Sequence, residues 1–221
     1  EKLKGIRLDS GDLAYLSKKA RKMLDDAGFP YVIIVASNQL NEHVIQSLLD
    51  EQDAPIDAFG VGTELVSAKP DAALDGVYKL AEIHGRPRMK ISENVEKITL
   101  PGNKKLIRFY DADGFFYRDG IYLENEPVSG ELVIHHPIHP EKSTNVSGLK
   151  YENLLQTVFI NGKSLIGDKT PILIYDYLKN RIALLPVEHL RFVSPHLYKV
   201  GISDKLMNLR DELMKKSRET M

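Results

Sequence analysis

Gly5-Ile6-Arg7-Leu8-Asp9-Ser10-Gly11-Asp12 is the stretch whose reading decides the fold. Apolar residues run into a polar cluster, and a helical pattern starts at once, with Leu13, Leu16, Ala20, Met23, Leu24 and Ala27 at helical spacing. The expectation is a strand over residues 5–9 that ends in a turn opening a helix. Ser10 or Asp12 would cap that helix, and Asp12 places negative charge at the positive end of its dipole. In parallel α/β folds, ligands sit beyond the C-terminal ends of the strands. Here that end carries a guanidinium, two carboxylates, a hydroxyl and a glycine.

The next segments repeat the arrangement. Gly28 and Pro30 stop the first helix. Tyr31-Val32-Ile33-Ile34-Val35-Ala36-Ser37 is a β-branched apolar run of the kind found in parallel strands covered on both faces. Asn38 or Asn41 can cap a following helix that carries Val44, Ile45, Leu48 and Leu49. Ile56 to Thr63 is a further short strand ending in Gly60-Val61-Gly62-Thr63. Helix-sized gaps give a β-α-β-α-β order, which is a fragment of either a barrel or an open sheet.

After about residue 70 the character changes. Val77–Ile83 and Arg86–Ile91 flank His84-Gly85, a hairpin signature. Leu106–Tyr110 and Phe115–Tyr117 flank the turn Asp111-Ala112-Asp113-Gly114, and Tyr117–Tyr122 repeats the pattern. Residues 135–150 read as a surface loop. Residues 154–200 alternate apolar and turn residues, with Pro171, Pro186 and Pro195 as breaks, and Ser203 caps a last helix. The expected organisation is an α/β part over residues 1–75, a β-rich, mainly antiparallel second domain over 76–200 and a C-terminal helix over 201–221.

Bulk composition narrows the partners. The chain has 221 residues, is 43% hydrophobic and 28% charged, and carries a net charge of −1, so no global field favours nucleic acid or a membrane. No apolar run approaches the roughly 20 residues of a membrane span. The absence of cysteine excludes disulfides and cysteine metal sites and suits a cytoplasmic protein. The sequence opens with Glu1 almost directly on a core strand. The expectation is a piece of a longer protein whose N-terminal part is missing.

Two strand ends carry the candidate chemistry. Arg7 and Asp9 share a face of their strand. Asp9 can accept hydrogen bonds from a sugar diol, and the Arg7 fork can hold an acidic group in two places. The residues alone fit equally well an Arg7–Asp9 ion pair with Asp12 as a helix cap. Gly60, Gly62 and Thr63 can wrap a phosphate with backbone N–H groups before a helix. A tight strand-to-helix turn needing glycine dihedrals accounts for the same residues. His135, His136 and His139 resemble metal spacing, but Pro137 and Pro140 forbid a helix there, so an exposed loop is the better reading and no metal site is expected.

Ile6–Leu13, read with Ala36-Ser37-Asn38 and Phe59-Gly60-Val61-Gly62-Thr63, resembles nicotinate phosphoribosyltransferase, and Gly76–Leu80 and Met89–Ser92 fit as well. The ordered motifs span residues 5–92, and the likeness continues more loosely to the C-terminus. The resemblance implies that the α/β part is an incomplete α/β barrel. It implies transfer of phosphoribosyl from phosphoribosyl pyrophosphate to nicotinate, giving nicotinate mononucleotide, driven by ATP with Mg through a phosphorylated histidine. By the same resemblance Arg7 holds the nicotinate side, Asp9 the ribose hydroxyls, Ser37 and Asn38 the phosphoribosyl neighbourhood, and Gly60, Gly62 and Thr63 the 5′-phosphate. The family's phosphorylated histidine lies upstream of residue 1, so no catalytic residue is expected here and this piece alone should be inactive. A homodimer with sites near the subunit boundary is also implied. Two other readings remain: another barrel enzyme of sugar phosphates, and a non-catalytic module binding nucleotides or a partner chain.

Overall fold

In the computed structural model, which describes residues 3–73, 76–92, 97–167 and 169–220, the chain forms two units, Glu1–Gly76 and Val77–Met221. In the first unit β1 (Gly5–Leu8), β2 (Ile33–Ser37) and β3 (Ala58–Gly60) make a parallel sheet in that order. Leu8 pairs with Ala36 and Ser37 with Gly60, so the three C-terminal ends lie side by side. Val32, Ile34 and Ala36 are fully buried, whereas Ile33 is 44% exposed. The apolar run is therefore covered on one face, not on both as its composition suggested.

Helix α1 (Leu13–Asp26) starts where Asp12 accepts a 2.9 Å bond from the Tyr15 N–H. Its buried residues are Ala14 and Ser17, and Met23 is exposed despite its apolar character. Arg21, which the sequence places in a basic cluster, reaches back to the carbonyls of Val32 and Phe29 and pairs with Asp25. It thus fastens the end of α1 to the entry of β2. Asn41 caps α2 (Glu42–Gln46), which runs into a π-helical turn at Ser47–Glu51. The unit's core gathers Ala14, Ala36, Leu40, Leu48, Ala54 and Ile56. The short helix α3 (Thr63–Ser67) follows Gly62.

The second unit opens with the hairpin at His84-Gly85, reduced to two-residue strands, β4 (Glu82–Ile83) and β5 (Arg86–Pro87). Both turn residues have positive φ, 49° and 69°, as a tight hairpin turn requires. A six-stranded sheet follows. It contains β6 (Lys104–Tyr110), β7 (Phe116–Leu123), β8 (Val133–His135), β9 (Ser143–Asn145) and β10 (Tyr151–Asn153). The pair β11 (Phe159–Ile160) and β12 (Lys163–Ser164) forms a separate small hairpin.

Residues 143–145, within the stretch read as a surface loop, form β9 and pair with β8, and two further features depart from expectation. Tyr117–Tyr122 contains no turn: it lies within β7, because Asp119 is held there by a cross-strand partner. Residues 171–182 form a helix, α4 (Pro171–Ile182), inside the region read as β-rich. Pro171 stands at its first turn, where a missing N–H costs nothing, and Thr170 caps it. Its apolar residues, Ile172, Leu173, Tyr175 and Leu178 among them, are exposed and spread around the helix, so no periodicity announced it.

The last strand, β13 (Val200–Ser203), inserts between β7 and β8, parallel to the first and antiparallel to the second. The sheet is thereby mixed. Ser203 then caps α5 (Asp204–Thr220): its Oγ accepts from the Leu206 N–H and donates to Glu126 Oε2 at 2.7 Å. Leu206 is fully buried where α5 packs against β7, β8 and β13. Ile107, Phe109, Tyr122, Ile134 and Val146 form the unit's core.

Candidate functional site

The aligned ends of β1, β2 and β3 bring several of the expected residues together. Arg7 Nη2 lies 2.8 Å from Asp9 Oδ2, and Arg7 Nη1 donates to Ser37 Oγ at 2.9 Å. A single guanidinium therefore joins the end of β1 to the end of β2. Gly60 is the register partner of Ser37, and a Cβ there would sit 3.4 Å from the Ser37 Cβ. Asn38 turns the chain away from β2 with φ of 85°, a left-handed conformation that asparagine adopts more readily than most residues. Gly62 precedes α3 with open space on its Cβ side, and no side chain caps the N–H groups that begin at Thr63. Direct contact links Arg7, Asp9 and Ser37; Asn38, Gly62 and Thr63 follow on in the adjoining turns.

Both local alternatives raised by the sequence are realised, since Arg7 pairs with Asp9 and Asp12 caps α1. The pair is weakly held, however. Its side chains are 63% and 51% exposed, and an ion pair in that setting is worth about 0–1 kcal/mol. A diol or an acid can displace it at little cost. The cluster therefore offers a carboxylate, a guanidinium fork, a hydroxyl and free backbone N–H groups on one rim. Among the described residues no three or more His, Asp or Glu side chains gather as metal ligands.

The histidine loop has an architectural explanation. His135 closes β8, with Nε2 2.7 Å from Asp204 Oδ1 and Nδ1 3.2 Å from the Pro140 carbonyl. His136 Nδ1 accepts from the N–H groups of Ile138 and His139.

Sequence reasoning missed a polar network in the second unit. Arg108 grips Asp119 with two bonds of 2.8 and 2.7 Å, and the Tyr198 hydroxyl donates to the same carboxylate at 3.0 Å. Asp119 is only 6% exposed. Arg108 lies 4.3 Å from the Phe116 ring centroid, and Arg181 stands 4.5 Å from it. Arg181 in turn binds Glu152 and the Tyr110 hydroxyl. The hydrogen bond to Asp119 raises the Arg108 pKa further, and burial followed by the Asp119 charge pushes the Tyr198 phenol up. Burial opposes ionisation of Glu152, but its bonds to Arg181 and Tyr110 prevail and lower its pKa. The network locks β6, β7, β10, α4 and the segment before β13 together.

Known proteins resemble this chain along nearly its whole length. Residues 103–210 match a family model described as the nicotinate phosphoribosyltransferase C-terminal domain. A nicotinate phosphoribosyltransferase of Bacillus subtilis is 41% identical over 207 residues, covering 90% of this chain and 42% of the relative. Nicotinate phosphoribosyltransferase 2 of Arabidopsis thaliana is 38% identical, covering 91% of this chain and 38% of its own length. The crystal structure of human nicotinic acid phosphoribosyltransferase superposes with a TM-score of 0.75 at 29% identity, over 96% of this chain and 40% of that one. The chain thus spans about two-fifths of the length of the relatives it matches. Over nine-tenths of its residues it is similar to a portion of proteins named nicotinate phosphoribosyltransferase.

Proposed function

We propose that this chain is part of an enzyme that transfers phosphoribosyl from phosphoribosyl pyrophosphate to nicotinate, giving nicotinate mononucleotide for NAD biosynthesis. The observation that carries the reading is the convergence of Arg7, Asp9 and Ser37 at adjoining parallel strand ends, with Gly60 in register beside them, in a chain similar to enzymes of that name. Asp9 accepts bonds from the ribose hydroxyls, and the displaced Arg7 turns to the nicotinate carboxylate. Ser37 and Asn38 border the phosphoribosyl group, while the N–H groups from Gly60 through Gly62 to Thr63 take the 5′-phosphate. The three-stranded parallel sheet is then a segment of an α/β barrel completed by the rest of the protein.

More than half of each matched relative has no counterpart in this chain. Positioning two substrates supplies much of the rate of such a transfer. On this reading the 221 residues alone make no nicotinate mononucleotide. The full-length protein uses ATP with Mg as co-substrate and ion, acts as a cytoplasmic homodimer, and supplies the phosphorylated histidine from outside this chain.

The test is turnover of the full-length protein with nicotinate, nicotinamide or quinolinate, each with phosphoribosyl pyrophosphate. Nicotinate alone should give product at a useful rate. Asp9→Ala should lower kcat/KM by 100-fold or more, because a charge-assisted bond pair to the diol worth about 3 kcal/mol is lost. Preference for quinolinate, or full activity after Asp9→Ala, would contradict the assignment.

A further inference from the structure

A cavity of about 770 Å³ in the second unit lies against β8, β9 and β13, far along the chain from the strand ends discussed above. Its volume falls in the range that holds a drug-sized organic ligand. Three cations, Arg118, Lys142 and Lys199, line it together with the hydroxyl residues Ser143 and Thr144. No Asp or Glu is among its lining residues.

The neighbouring acids are already engaged. Asp119 is held by Arg108 and Tyr198, Asp204 lies against His135, and Glu141 stands 3.6 Å from His139. Arg118, Lys142 and Lys199 make no ion pair among the described residues. The Arg118 guanidinium lies 5.0 Å from the Tyr117 ring, and its Nε is buried without a hydrogen-bond partner among the described residues. A buried polar atom left unpartnered costs free energy that a ligand can recover. Three cations facing one space also repel each other until an anion enters.

The rest of the lining is mostly apolar, with Ile134, Ile138, Leu197 and Val200 beside the imidazoles of His135 and His136. A free phosphate would leave this surface bare. We infer that the cavity binds a phosphorylated organic anion of nucleotide size, its phosphates on Arg118, Lys142 and Lys199 and its body against Ile138 and Leu197. The site is built wholly from the second unit and stands apart from the reading of Arg7 and Asp9.

Calorimetric titration of the 221-residue chain with ADP, pyrophosphate and adenosine tests this. ADP should bind saturably, with pyrophosphate and adenosine each at least tenfold weaker. Lys142→Gln with Lys199→Gln should weaken ADP at least tenfold. Both lysines are exposed, so the far-ultraviolet spectrum should be unchanged. Lys163→Gln, in the separate β11–β12 hairpin, should leave ADP affinity as it was. The inference is overturned if ADP fails to saturate at millimolar concentration, or if pyrophosphate binds as tightly as ADP. It is equally overturned if the lysine pair has no effect, or if Lys163→Gln weakens ADP as much.

Discussion

Replacing Asp119 by alanine should destabilise the second unit more than any surface change. Asp119 takes two bonds from Arg108 and one from Tyr198, and it is almost fully buried. Removing one partner of a buried pair typically costs 3–5 kcal/mol, because the other charge stays buried and unpaired. Arg108 keeps 21% of its side chain exposed, so water recovers part of that loss and about 3 kcal/mol is expected. The assay is urea unfolding followed by near-ultraviolet circular dichroism of the tyrosines. At a slope of about 1–3 kcal/mol per molar urea, the midpoint should fall by at least 1 M. Arg108→Met with Asp119→Leu should regain much of the stability, since an apolar pair of similar size needs no compensation. Arg7→Ala with Asp9→Ala, by contrast, should cost less than about 1 kcal/mol. An Asp119→Ala loss below 1 kcal/mol would refute the reasoning, because the network would then be ornamental.

Two more predictions follow from the same unit. Burial raises the phenols of Tyr122 and Tyr198 above their ordinary value of 10.0, so the folded state keeps protons that the unfolded state releases. The resulting stability is complete below pH 10 and is lost as pH climbs from there toward the raised folded values. Urea midpoints from pH 9 to 11.5 should fall, and Tyr198→Phe should flatten the decline; midpoints that rise with pH would reverse the sign. Gly201 lies where an added Cβ would meet the Ile134 Cβ at 2.8 Å and the His135 carbonyl oxygen at 3.2 Å. Gly201→Ala should therefore lower stability by about 1–3 kcal/mol in thermal melts, and an unchanged melting temperature would show that β8 yields freely.

The parallel units were legible because each local signal agreed with the next. The β-branched run before Ser37, the Asp12 and Asn41 caps and the Gly28 stop all fall where the structure has them. Met23 misled, since apolar character does not bury a residue when the helix face it occupies has no neighbour. Helix α4 escaped notice because its apolar residues surround it, which leaves neither the helical nor the strand period to detect. The Arg108–Asp119 pair was hidden by a bulge. Extending the Tyr110–Phe116 pairing evenly would put Arg108 opposite Arg118, but the irregularity between Phe109 and Tyr110 moves it opposite Asp119. The Arg7–Asp9 contact was visible from their spacing. The Arg7 bond to Ser37 depended on the β1–β2 register, which no local pattern specifies.

A structure of the full-length protein with nicotinate mononucleotide bound tests the central claim most directly. The account predicts the ribose hydroxyls within hydrogen-bond reach of Asp9, with the Arg7–Asp9 pair opened, and the 5′-phosphate against the N–H groups of Gly60 to Thr63. A 5′-phosphate lying far from that turn, with the Arg7–Asp9 pair intact, would contradict it.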